Sequence, residues 1–206
     1  MNIASKLRKT ANGATAVDGE VAKAVEPLHE GRAGKALAAV SKLGDQPHLM
    51  LMSSALVVAG LLSSNRRLAG AGARMLFAHE VATLAKDFVK YRIDRTRPRS
   101  ARRGEQRKLK PPRSTAKEES SFPSGHGAGT FAVARAFARE YPGRQPAALA
   151  TAGALSAVQV TRSAHYLSDA VAGAAIGWAA EAAANLAWPI AAATRDSEKA
   201  KASSDG

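Results

Sequence analysis

The chain has 206 residues, with 30 Lys and Arg against 17 Asp and Glu, a formal net charge of +13 and no cysteine. The missing thiols exclude disulfides and cysteine-based metal sites. The excess of cations points to an anionic partner, whether nucleic acid, anionic lipid or phosphate esters.

Residues 1–47 read as a polar, amphipathic N-terminal segment. MNIASKLRKT leads into a polar stretch, unlike the apolar core of a cleaved signal. VAKAVEPL and GKALAAVSKL place apolar residues at helical intervals and predict short surface helices. SKLGDQPHL then stops one element and starts another, with Asp45 or Gln46 near the new N-terminus and Pro47 in its first turn.

The mean hydropathy of −0.19 suggests a soluble protein, but charge is concentrated in a few segments and leaves apolar stretches between them. These are Leu49 to Ser63, Leu68 to Val89, Gly125 to Ala138, Ala147 to Val160 and Ala170 to Ala193. The expected fold is therefore all-α: a helical bundle of about five membrane-embedded helices over 48–193, with the active site at one membrane face. A soluble bundle is the alternative. Asn65 to Arg67 makes a tight link, and YPGRQP at 141–146 a turn. Residues 91–122 form a basic loop, and 194–206 are expected to be a disordered tail. No aromatic residue lies between Arg92 and Ser121 to stack on bases, which argues against nucleic acid as the partner and leaves cations on a solvated connection or contacts to lipid headgroups. His79, Thr83, Lys86 and Lys90 share a helical face, which puts His79 inside the bundle under any site there. Gly173 and Gly177 among alanines suggest a close helix contact.

Three stretches carry chemistry. KYRIDRTRP places Lys90 and Arg97 seven apart at a helix end, a point charge and a flat fork suited to phosphate oxygens. SFPSGHGAGTF packs His126 among three glycines, Ser124 and Pro123, directly ahead of a helical run. There the Ser124 hydroxyl and the N–H groups of Gly125 and His126 can surround an oxyanion, and His126 can hand a proton to a departing oxygen. TRSAHYLSDAVAG puts His165 and Asp169 four apart on one helical face. A carboxylate so placed can accept the proton of one ring nitrogen and leave the other free to attack.

Taken together, Lys-x6-Arg-Pro, Pro-Ser-Gly-His and Arg…His-x3-Asp resemble the signature of the type 2 phosphatidic acid phosphatase (PAP2) superfamily, over about Leu43 to Trp188. The resemblance implies an integral membrane phosphatase that removes a terminal phosphate from a lipid phosphate or diphosphate. Polyprenyl, phosphatidylglycerol phosphate and phosphatidic acid types are all candidates. Lys90, Arg97, Ser124, Gly125 and Arg162 would bind the phosphoryl oxygens. His165 would form a phosphohistidine with support from Asp169, and His126 would protonate the leaving group and then activate water. It implies no cofactor and no metal, because cationic side chains and helix N–H groups stabilise the charge.

One position departs from the family pattern, which has an arginine six residues before the nucleophilic histidine. Gln159 stands there, and the nearest arginine is Arg162, three before His165. The alternatives are a phosphotransferase of the same fold that uses an alcohol acceptor, a vanadate-dependent haloperoxidase, and a basic membrane protein whose site has weakened. The expected location is a bacterial-type inner membrane with multiple passes. Resemblance puts the active-site face in the periplasm, whereas charge bias puts it in the cytoplasm.

Overall fold

The computed structural model describes residues 3–29, 31–98, 109–110 and 120–204. Most of the basic loop expected over 91–122 lies outside the described residues. Seven α-helices are described: α1 Ile3–Ala24, α2 Gly31–Ser41, α3 Gln46–Leu62, α4 Arg66–Lys90, α5 Gly125–Glu140, α6 Gln145–Thr161 and α7 Leu167–Ser204. The fold is all-α. Among the described residues, one ladder pairs β1, Asp94–Arg95, antiparallel with β2, Leu109–Lys110, beside an isolated bridge from Thr96 to Ser120.

The five apolar stretches become α3 to α7, with boundaries set by identifiable caps. At the end of α3, Ser64 takes φ 53°, and the N–H groups of Asn65 and Ser64 reach back to the carbonyls of Gly60 and Leu61. This is a Schellman closure. Asn65 then caps α4 by accepting from the Leu68 N–H at 3.0 Å. α6 ends in the same way, with Ser163 at φ 51° and the Ala164 and Ser163 N–H groups bonded to the carbonyls of Gln159 and Val160. Within two residues of that closure the chain delivers His165. The α7 helix continues through Ser204, where the sequence reading has a disordered tail from 194; SEKAKA is rich in good helix formers.

α5 is the central helix, packed against α4, α6 and α7. Small residues set how closely it approaches α7. A Cβ added at Gly173 would lie 2.3 Å from the Ser124 carbonyl oxygen, and one at Gly177 would lie 2.2 Å from that of Ala128. Backbone therefore rests on backbone, as the glycine spacing implies. The core below is built from Leu49, Met75, Ala78, Ala132, Val133, Ala136 and Ala180, among others. Charges inside the bundle are paired. Glu181, 1% exposed, accepts from Arg135 Nε at 2.7 Å and Arg139 Nε at 2.8 Å, and Arg74 bonds Glu140 and Asn185 while lying over Trp188.

Among the described residues, one helical stretch, Leu167–Trp188, is long and apolar enough to cross a membrane, and Gln46–Leu62 is apolar but shorter. Large apolar side chains face outward on several helices, among them Leu51, Leu61 and Leu62 on α3, Leu84 and Phe88 on α4, and Val171 and Leu186 on α7.

Candidate active site

The second and third sequence stretches meet where α5 and α7 begin. Ser124, fully buried, caps α5 by accepting from the Gly127 N–H at 3.3 Å, and its own N–H donates to the Asp169 carbonyl at 3.0 Å. Its hydroxyl hydrogen thus stays available. The N–H groups of Gly125 and His126 fall in the first turn, where a helix has no acceptor of its own to offer. Any anion at that point also meets the positive end of the α5 dipole.

His165 is buried, and its Nδ1 lies 2.7 Å from the main-chain carbonyl of Ser121. A carbonyl only accepts, so Nδ1 carries the proton and Nε2 keeps its lone pair. The sequence reading gave this orienting role to Asp169. The structure differs: the Asp169 carboxylate is 3.9 Å from Nδ1, and its oxygens accept from the Tyr166 N–H at 2.8 Å and from Arg95 Nη1. The four-residue spacing does put the two side chains on one face, but the turn through Tyr166 aims the carboxylate at the backbone.

Arg95, which the sequence reading passed over, anchors this corner. Its guanidinium bonds Asp169, the Ser168 hydroxyl at 2.7 Å and Asp18 Oδ2 at 2.6 Å, and it lies over the Tyr166 ring. Burial opposes its charge, but Asp169 and Asp18 outweigh that and hold its pKa above the ordinary arginine value. Asp18, on α1 and 2% exposed, also accepts from the Ser168 N–H at 2.9 Å and its hydroxyl at 2.5 Å. The N-terminal segment therefore caps α7 from 150 residues away.

His126 faces a different partner set. Its Nε2 is 2.9 Å from Asp45 Oδ1 and 3.2 Å from the Ser41 carbonyl. His165 and Arg162 both lie within electrostatic reach of it. The backbone of Gly44 supports the ring, since a Cβ there would be 2.9 Å from His126 Cδ2. Arg162 Nη1 and Gln159 Nε2 both donate to the buried Ser41 hydroxyl, at 2.6 and 2.7 Å. Arg162, and Gln159 at the position where the family pattern has arginine, thus converge on one oxygen beside His126.

Lys90, half-buried, closes α4, and Arg97, also half-buried, follows the β1 strand. The strand tethers this segment to the second stretch, because Ser121 N–H donates to the Arg95 carbonyl at 2.7 Å. Ser121 in turn holds His165.

Residues 71–191, more than half of the chain, match the PAP2 superfamily. The chain belongs to the PAP2 superfamily. The crystal structure of a transmembrane PAP2-type phosphatidylglycerolphosphate phosphatase from Bacillus subtilis superposes with a TM-score of 0.65 at 18% identity, covering 84% of this chain and 85% of that one. No curated protein sequence matches significantly. The PAP2 match begins at Ala71, so α1, with Asp18, and Ser41 and Asp45 lie outside it even though all three bond to residues within it.

Proposed function

We propose that this PAP2 protein is a multi-pass membrane phosphatase that hydrolyses the terminal phosphate of a lipid phosphate or diphosphate through a phosphohistidine on His165. The observation that carries this reading is the His165 ring, with Nδ1 committed to the Ser121 carbonyl and Nε2 left as a nucleophile. The outward apolar side chains of α3, α4 and α7 and the mutual pairing of charges inside the bundle support a lipid setting.

In this reading the substrate phosphoryl group rests on the first turn of α5, where the Gly125 and His126 N–H groups and the Ser124 hydroxyl meet its oxygens. Lys90, Arg97 and Arg162 neutralise the remaining charge. Nε2 of His165 bonds to phosphorus as the bond to the leaving oxygen breaks, and His126 gives that oxygen its proton. His126 then takes a proton from water, whose oxygen attacks phosphorus, and the P–N bond breaks to release inorganic phosphate. Asp169 acts on this sequence through Arg95 and the Tyr166 N–H, by holding the His165 turn.

Phosphate release from a panel of lipid phosphates, compared between the wild type and His165→Ala, tests the reading. Wild-type release, loss in the variant, and an acid-labile phosphoryl label trapped on the wild type by rapid quench are expected. Equal release by both proteins would eliminate the histidine pathway. Turnover only with an added alcohol would identify a phosphotransferase instead.

A further inference from the structure

Beside His126, α3, α4 and α5, with Gly44 of the preceding turn, line a cavity of about 140 Å³. Gln46, His79, Thr83, Lys86, Gly125 and His126 supply its polar wall, and Leu49, Ala82 and Ala128 its apolar one. Pockets that swallow a whole drug-sized ligand run to roughly 300–1,000 Å³. This one is the size of a headgroup fragment.

Its chemistry is specific. The Lys86 side chain is 18% exposed, and its ammonium is held 3.1 Å from Asp87 Oδ1. A Cβ at Gly125 would lie 3.4 Å from Lys86 Cδ and 4.0 Å from Nζ. The cation therefore hangs over the first residue of α5, beside the place where a phosphoryl group is proposed to rest. His79, 3% exposed, makes no hydrogen bond through Nδ1, and the nearest carboxylate, Glu80, is 3.6 Å away. Its Nε2 edge faces Gly129 in the same wall. A buried imidazole and a partly exposed ammonium on one small cavity form a poor lining for a hydrocarbon and a good one for an anionic, oxygen-rich group.

We infer that this cavity is a subsite for the leaving group, with Lys86 as its charge-recognising residue, and that the preferred substrates carry a second negative charge on the leaving side of the scissile bond. This rests on the proposed phosphatase reading, because His126, the proposed proton donor, lines the cavity. The second charge is either the inner phosphate of a diphosphate or a phosphodiester a few atoms away. In both cases Lys86 neutralises it as the bond breaks. A phosphate monoester of a neutral diacylglycerol leaves Lys86 with Asp87 alone.

The test uses the full chain in detergent–phospholipid micelles and measures kcat/KM for phosphatidic acid, a prenyl diphosphate and phosphatidylglycerol phosphate. In Lys86→Met, the ratio of kcat/KM for each anionic-leaving-group substrate over phosphatidic acid is expected to fall about 10-fold or more, the size of one charge-assisted contact. A fall confined to the diphosphate, or to the diester, says which source of charge the subsite reads. Ratios unchanged in the variant overturn the inference. A second measurement needs no variant: methylene diphosphonate should inhibit the wild type about 10-fold more strongly than inorganic phosphate, and equal inhibition would also overturn it. Failure of the underlying reading looks different, since no substrate would then depend on His165.

Discussion

Nδ1 of His165 donates to the main-chain carbonyl of Ser121 across 2.7 Å. A carbonyl cannot change protonation state, so this contact fixes the tautomer without help from a carboxylate. Asp169, 3.9 Å from the same nitrogen, is occupied with Arg95 and the Tyr166 N–H. Asp169→Asn is therefore expected to lower kcat by about 10–100-fold through a loosened turn. That is well short of the roughly 10⁴-fold loss seen where an aspartate sets the tautomer of a catalytic histidine. Steady-state kinetics beside His165→Ala checks this; a loss as deep as that of His165→Ala would put Asp169 in direct control of the ring.

His126 is held through the opposite nitrogen, Nε2, by Asp45 and the Ser41 carbonyl, which leaves Nδ1 to meet a leaving group. Asp45→Asn removes the charge but keeps the shape, and kcat should fall about 10-fold, less than the roughly 10²–10⁴-fold a general acid contributes in full, with KM little changed. Gly44→Ala places a methyl 2.9 Å from the ring and should reduce kcat at least as much. A change confined to KM in both variants would mean that His126 binds and does not transfer protons.

The helices of the bundle and the two histidines were legible because their signals are local: apolar runs between charge clusters, glycines at a helix mouth, a four-residue spacing. The partners of those histidines were not legible, because they arrive from far along the chain. Ser41 and Asp45 reach His126 across 85 and 81 positions, and Asp18 reaches Ser168 across 150. Asp45 was legible only as a helix start, and neither Ser41 nor Asp18 sits in a pattern that distinguishes it from a solvated polar residue. Arg95 is one of several arginines in a basic segment. Its one clue was the two-residue step to Arg97, which on a strand puts both on one face. The departure at Gln159 was visible in the sequence, but its consequence depended on Ser41, to which both Gln159 and Arg162 point.

Arg162 sits at that convergence, and its removal separates two roles. If it meets the phosphoryl group in the transition state, Arg162→Ala should lower kcat/KM by about 100-fold, the scale of one lost charge-stabilising donor. Thermal stability should be little affected, because Gln159 still holds Ser41. A large drop in Tm with unchanged kinetics would make Arg162 a structural partner of Ser41 alone.

Glu181 holds Arg135 and Arg139 between α5 and α7. Glu181→Ala leaves two guanidinium groups without their carboxylate. Arg139 is 40% exposed and can turn to solvent, whereas Arg135 is 13% exposed. The expected destabilisation is therefore near the lower end for a broken buried pair, about 3 kcal/mol, or about 6–12 °C in Tm for a chain of this size. Thermal unfolding in detergent measures it. A shift within 1–2 °C, about the effect of a surface substitution, would show that the pair contributes little.

Asp18 links stability to turnover. Asp18 binds Arg95 at 2.6 Å and caps α7 through the Ser168 N–H at 2.9 Å, while Arg95 grips Asp169 in the turn that carries His165. Asp18→Ala removes one of two carboxylates from a buried guanidinium and the acceptor from a helix end. α1 should then detach from α7, and this should appear as early proteolytic cleavage within residues 3–24 and faster amide exchange there. The loosened His165 turn should lower kcat by about 10-fold, less than for Asp169→Asn because Arg95 keeps Asp169 as partner. Asp18→Asn retains an acceptor for Ser168 N–H and should recover the helix cap but not the ion pair, giving an intermediate kcat. If α1 detaches in Asp18→Ala while kcat stays at the wild-type value, the N-terminal helix is packing only, and the path from Asp18 through Arg95 to His165 has no part in turnover.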